Sequence, residues 1–206
     1  MTGNLYVVSA PSGAGKTSLV RALVGSSDDI QVAVSHTTRD IRPGEEQGKA
    51  YHFISHEQFS AMITNNEFLE YAEVFGHYYG TSHHSVKTVR DQGQHLVLEI
   101  DWQGAQQIRA EMPEATLIFI LPPSLEILRE RLVKRGRDNA SNISERMAEA
   151  ITDASHCRDF DHVVINDNFE AALSELKEIV RNPAATTTLG AERSEVLSLI
   201  ADFSAQ

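Results

Sequence analysis

Cysteine is almost missing from this 206-residue chain: the single Cys157 cannot close an intrachain disulfide, which rules out a disulfide-stapled fold. No apolar run approaches the ~20 residues that a membrane-spanning helix requires. The opening residues lead straight toward a strand, with no basic segment, apolar stretch and cleavage site, so a cytoplasmic protein is expected. Positive charge is also scarce, with 18 Lys and Arg against 29 Asp and Glu and a formal net charge of −11. Nucleic-acid affinity rests largely on phosphate neutralisation, so that balance disfavours a nucleic-acid partner. Any anion the protein binds must be held by a local basic cluster. What the chain does have is 41% hydrophobic residues, enough to bury one sizeable core and a small inserted subdomain.

The densest chemical signal lies near the start. Ala10-Pro11-Ser12-Gly13-Ala14-Gly15-Lys16-Thr17 follows the apolar run Leu5-Tyr6-Val7-Val8 and opens the amphipathic segment Ser18–Val24. Strand, glycine loop and helix in that order make a phosphate cradle: glycines let backbone N–H groups curl toward an anion, and the helix adds its positive end. Lys16 reaches the terminal phosphates, and the Thr17 hydroxyl suits magnesium. Ala10 stands where G-x-x-x-x-G-K-[ST] has its first glycine, which a small residue can fill if its φ is negative. The pattern predicts nucleoside triphosphate binding.

Apolar runs along the chain alternate between strands and helices, the mark of an α/β fold with a parallel sheet flanked by helices. Core strands are expected at Leu5–Ser9, Gln31–Ser35, His95–Ile100, Thr116–Leu121 and His162–Asn166. Helices are expected at Gly104–Met112, Ser124–Lys134, Ser144–His156 and Phe169–Arg181. The stretch Thr38–Gly80 breaks the alternation. There Tyr51–Ile54 and Phe68–Phe75 read as strands, and Ser55–Asn65 reads as a helix with Ser55 and Gln58 as a capping box. It has the look of a small mixed insertion. Beyond Arg181 comes a linker, then a short helix over Glu192–Phe203.

A second anion site is suggested by Arg39 and Arg42 around the turn Asp40-Ile41, with Tyr51 and Tyr78-Tyr79 further on. Arg recognises phosphate bidentately, and a tyrosine hydroxyl donates to the same oxygens. Glu70 and Asp101 add carboxylates, which only accept hydrogen bonds when ionised. Guanine offers two adjacent donors on its pairing edge where adenine offers an acceptor, so a carboxylate favours guanine; Ser35 or Thr81 could complete the reading with a hydroxyl. The only dense basic stretch is Arg129–Arg137, with Arg146 after it. Such cations often complement a helix dipole. Here the polar segment Asp138–Asn142 between two helices also fits a mobile lid that lowers arginines onto phosphates and excludes water.

Five motifs together resemble the guanylate kinase family, in its soluble bacterial, P-loop nucleoside monophosphate kinase form, over residues 4 to about 182. They are Ser9–Thr17, Val34–Glu45, Tyr78–Thr81, Ile100–Gly104 and Val164–Asp167. The resemblance implies a single domain with a core of 1–37 and 89–182, a GMP-binding insertion of 38–88, a lid at about 136–144 and a tail of 183–206. It implies that Arg39, Arg42, Tyr51 and Tyr79 hold the GMP phosphate, and that Ser35, Glu70, Thr81 and Asp101 surround guanine. Arg131, Arg135 and Arg146 would contact ATP phosphates beside Lys16, and Asn166 would lie near adenine. The implied reaction is ATP plus GMP giving ADP plus GDP, with Mg2+ accompanying ATP. One departure is Glu99-Ile100-Asp101, where the family usually has Asp-Ile-Asp.

Three other readings compete. A kinase of different base preference shares the loop and lid, but the Arg pair followed by Glu70 and Asp101 favours guanine. A non-catalytic interaction module of the same family would typically carry a degraded phosphate loop, whereas Gly15-Lys16-Thr17 is intact. A zinc site drawn from nine histidines is disfavoured, because His52 sits in an alternating strand and does not share a helical face with His56.

Overall fold

In the computed structural model, residues 2–134 and 140–183 are described, together with Val196, Ser198, Leu199 and Ala201. The elements run β1 (Leu5–Ser9), α1 (Lys16–Val24), β2 (Ile30–Val32), β3 (His36–Thr37), β4 (His52–Phe53), α2 (His56–Thr64), β5 (Phe68–Val74), β6 (His77–Ser82) and α3 (His83–Asp91). They continue with β7 (His95–Glu99), α4 (Trp102–Glu111), β8 (Thr116–Leu121), α5 (Leu125–Lys134), α6 (Ala140–Ser155), a 3₁₀ turn at His156–Asp159, β9 (His162–Ile165) and α7 (Phe169–Arg181). A five-stranded sheet has the order β2-β7-β1-β8-β9, and a four-stranded sheet has the order β4-β3-β6-β5. In the first, β2 pairs with β7 and β8 with β9 in parallel. This is a parallel central sheet flanked by helices, as the alternating pattern predicts. Among the described residues no helix is long and apolar enough to cross a membrane.

The chain divides into two compact units, one of Met1–Tyr6 with Asp28–Ala115 and the other of Val7–Ser27 with Thr116–Gln206. In the second unit β8 is buried from Leu117 to Leu121, the unbroken apolar run of a strand covered on both faces. Helix α7 buries Ala172, Leu173, Leu176, Ile179 and Val180 at helical spacing, and the Asn168 side chain caps it by accepting from the Ala171 N–H at 3.0 Å. Leu128 and Leu132 of α5 bury against Ala150 of α6, with Leu125 and Met147 at the edge.

In the first unit, the four-stranded sheet closes over Phe59 of α2. This ring is fully buried and stacks on Phe68 at 4.4 Å and on Tyr78 at 5.3 Å between centroids. Ser55 and Gln58 form the expected capping box, with Gln58 N–H on Ser55 Oγ at 3.2 Å and Ser55 N–H on Gln58 Oε1 at 3.0 Å.

Several boundaries depart from expectation for identifiable reasons. The strand expected at Gln31–Ser35 ends at Val32, because the chain changes sheets there: the Ala33 N–H still bonds Val97 O, while Ser35 O already accepts from His52 N–H. Helix α4 starts at Trp102, two residues early, because the Asp101 side chain caps it. Helix α6 starts at Ala140 rather than Ser144, so part of the polar stretch read as loop is helical, and residues 135–139 lie outside the described residues. Strand β6 and helix α3 lie outside the expected elements: β6 is buried only over Gly80–Ser82, and α3 buries only Val86, so neither presents an apolar run. The expected helix over 192–203 falls outside the described residues except at the four positions named above.

Candidate active site

The loop after β1 is shaped by two glycines in the left-handed region, Gly13 at φ 94° and Gly15 at φ 96°. Ala10 has no positive φ, so its methyl group is compatible with the missing first glycine. Gly13 also allows close packing, since a Cβ there would meet Leu128 Cδ1 at 2.9 Å. Gly15 is the N-cap of α1, and it offers no side-chain oxygen to the first-turn N–H groups; that turn contains no acidic residue. Such an uncapped helix start, led by Lys16 and Thr17, suits an anion.

The loop is braced from behind. Asn166, expected near adenine, donates from Nδ2 to Ala14 O at 2.7 Å and is itself buried. A Cβ on Gly15 would collide with the same Nδ2. Arg131 donates from one guanidinium nitrogen to Asn166 O at 3.0 Å and from the other to Ala14 O at 3.4 Å. Arg146 lies on α6 three residues before Glu149, whose carboxyl is pushed up by burial and partly offset by the Arg146 charge. Arg135 lies outside the described residues.

The residues expected to hold the second phosphate gather in the other unit. Arg39 is buried, and one of its guanidinium nitrogens donates to both Glu45 carboxylate oxygens at 2.8 and 3.0 Å. The guanidinium carbon lies 5.6 Å from the Tyr51 ring centroid, and Tyr51 meets Tyr79 edge-on at 5.8 Å. Alternation along β6 explains the two tyrosines: Tyr78 enters the Phe59 cluster, while Tyr79 turns toward Tyr51 and Arg39. Burial, then the charge of Glu99, pushes the Tyr51 phenol up to about 12, so it remains a donor at neutral pH.

Arg42 joins through its backbone, whose N–H donates to Glu45 Oε2 at 2.8 Å. Glu45 is the residue the sequence reading missed. Its carboxyl is desolvated, which alone would raise its pKa, but the bonds from Arg39 and Arg42 hold it below the usual range. The available signal was the Arg-Pro-Gly-Glu turn, which returns a carboxylate to the arginine six residues earlier.

The base-reading candidates lie on the same unit. Glu70 is 3% exposed on β5, opposite Thr81 on β6. Ser35 Oγ and Thr81 Oγ1 are 3.0 Å apart, so the two hydroxyls read as alternatives are one pair. Asp101 accepts the Gly104 N–H on Oδ1 at 2.8 Å, which fixes the carboxylate at the head of α4.

Comparison with known proteins shows the family. The guanylate kinase family profile matches residues 2–183. The guanylate kinase of Saccharophagus degradans is 56% identical over 179 residues, covering 87% of both chains. That of Alkalilimnicola ehrlichii is 54% identical over 179 residues, covering 87% of this chain and 88% of the relative. The crystal structure of guanylate kinase from Anaplasma phagocytophilum superposes with a TM-score of 0.74 at 32% identity, covering 98% of this chain and 96% of that one. A phosphate loop braced by Asn166 and Arg131, a separate Arg39 cluster and similarity along nearly the whole chain converge on one conclusion: this chain belongs to the guanylate kinase family.

Proposed function

We infer that the two clusters divide the reaction, with Ala10–Thr17 holding ATP and the Arg39–Glu70 face holding GMP. As a guanylate kinase, the chain transfers the γ-phosphoryl group of ATP to GMP, giving ADP and GDP. One observation supports the acceptor half above all. One Arg39 guanidinium nitrogen already holds both oxygens of a carboxylate, and the buried Glu70 is paired in register with Thr81, whose hydroxyl meets that of Ser35. The first cluster suits a phosphate and the second a base with two donors.

Both reactants are anionic, so catalysis is chiefly positioning and charge neutralisation, with no covalent intermediate. Lys16 stabilises charge on the transferred group. Arg39, Arg42, Tyr51 and Tyr79 orient the acceptor phosphate; Ser35, Glu70, Thr81 and Asp101 read guanine. Arg131, Arg135 and Arg146 are assigned to the ATP phosphates, and Arg131 also holds the loop carbonyl of Ala14. Asn166 is assigned to the neighbourhood of adenine and braces the loop through the same carbonyl. Thr17, in the first turn of α1, would supply a hard oxygen ligand of the kind that Mg2+ prefers. When bound, Mg2+ neutralises charge on the triphosphate.

The domain reading goes with this assignment: core 1–37 and 89–182, GMP-binding insertion 38–88, lid about 136–144 and tail 183–206, in a cytoplasmic enzyme without nucleic-acid or membrane partners. ADP release followed with and without GMP, and with and without EDTA, tests the whole scheme. GMP-dependent, EDTA-sensitive release is expected; equal rates with and without GMP would overturn it.

A further inference from the structure

Strand β5 carries Glu70 and is the last strand of its sheet, with β6 on one side. Its register with β6 is irregular between Phe68 and Glu70, immediately where the carboxylate is presented. A bulge of this kind re-aims a side chain, and the ladder resumes at Glu70 opposite Thr81 and Tyr71 opposite Gly80. The outer edge of the strand is held by α4. The Tyr71 N–H donates to Gln107 Oε1 at 3.1 Å, and Gln107 Nε2 donates back to Tyr71 O at 2.8 Å. One carboxamide thus takes the place of a missing neighbouring strand at the residue after Glu70.

One turn earlier on the same helix, Gly104 opens the space that Glu70 occupies. A Cβ at 104 would lie 2.5 Å from Glu70 Oε2 and 3.3 Å from its Cδ. The helix head is fixed in turn, because the Gly104 N–H is held by Asp101 Oδ1. Residues 101, 104 and 107 recur every three positions, so cap, gap and clamp follow one another along one face of α4.

We propose that Gln107 and Gly104 are positioning residues for base selection: Gln107 fixes the β5 backbone beside the bulge and Gly104 leaves the room that lets the Glu70 carboxylate meet both donors of the guanine edge. This rests on the reading of Glu70 as the guanine acceptor. Neither residue touches the nucleotide in this scheme. Both act by keeping a carboxylate within the narrow geometry that two simultaneous hydrogen bonds require.

The test compares GMP with inosine monophosphate, which lacks the exocyclic amine and so offers one donor fewer. Values of kcat/KM for both acceptors are measured in the wild type, Glu70→Gln, Gln107→Met and Gly104→Ala, together with KM for ATP and the thermal midpoint. Gln107→Met keeps length and removes both hydrogen bonds. Gly104→Ala leaves those bonds in place and raises helix propensity, so any loss it causes is not helix weakening. In both variants the preference for GMP over inosine monophosphate should fall roughly tenfold, with KM for ATP within about twofold of wild type.

A preference that survives in Gln107→Met and Gly104→Ala but falls in Glu70→Gln would overturn the positioning roles and leave Glu70 as the reader. Survival in Glu70→Gln as well would overturn the Glu70 reading itself. If Gln107→Met does not fold, Gln107→Glu, which still accepts from the Tyr71 N–H but no longer donates to Tyr71 O, tests Gln107 by the same readout, and Gly104→Ala tests Gly104.

Discussion

Asn166 Nδ2 donates to the carbonyl oxygen of Ala14 across 152 positions of sequence, at 2.7 Å and out of contact with solvent. The end of β9 therefore sets the backbone of the phosphate loop, and Arg131 secures the same carbonyl from α5.

Removing the amide in Asn166→Ala leaves that carbonyl with only the longer Arg131 contact. KM for ATP should rise roughly five- to tenfold, the cost of one buried hydrogen bond partly replaced. The dissociation constant for GMP should stay within about twofold, because the acceptor cluster is built from other elements. Titration of each nucleotide separately checks both halves; equal weakening would mean that the fold, rather than the loop, depends on Asn166.

Lys16 opens α1 at the uncapped helix start. Lys16→Ala should lower kcat by on the order of a hundredfold or more, as for removing one preorganised charge stabiliser. GMP affinity, measured by calorimetry, should change little. Turnover close to wild type would remove Lys16 from the mechanism.

Glu45 gives the Arg39 cluster a pH dependence whose sign can be worked out. Its folded pKa lies below the ordinary value of 4.5, so the Arg39–Glu45 pair contributes its full stability above that value and loses it as pH falls through the folded pKa. Glu45→Gln should be less stable than wild type at pH 7 by about 1 to 2 kcal/mol. The difference should close as pH falls progressively below 4.5. Urea unfolding of both proteins across that range measures it, and a constant difference would show that the carboxylate charge is not what stabilises the turn.

His36 acts in a higher window. Its ring lies 4.7 Å from His52 and 5.6 Å from Phe68. Burial first, then the His52 charge, holds its pKa below 6.5 despite the Gly80 backbone bond and Glu67. The unfolded chain takes up a proton at the ordinary value and the native state does so only at lower pH. Stability is therefore fully present above pH 6.5 and declines as pH falls below it. His36→Phe should flatten the stability profile just below pH 6.5, by at most ~1.4 kcal/mol per pH unit for one proton. An unchanged slope would assign the proton uptake to another group.

Local rules made much of this protein legible before any coordinates. Gly13-Ala14-Gly15-Lys16-Thr17 after an apolar strand specifies its own conformation, because only glycine adopts those positive φ values freely. Ser55 and Gln58, three residues apart, specify their capping box for the same reason: the interaction is contained within one turn. Continuous apolar runs such as Thr116–Leu121 identify buried parallel strands because both faces are covered.

Other features arose only through folding. The two-residue strands β3 and β4 have no periodicity to read, and β6 owes its place to the partners it pairs with. The Asn166–Ala14 brace and the Gln107 clamp on Tyr71 join positions 152 and 36 residues apart. An Asn or Gln looks the same in sequence whether it faces solvent or completes a distant backbone. Which carbonyl it meets is decided by how strands and helices pack, so the residues that would carry the chemistry were visible in the chain, and those that hold them in place became visible only in three dimensions.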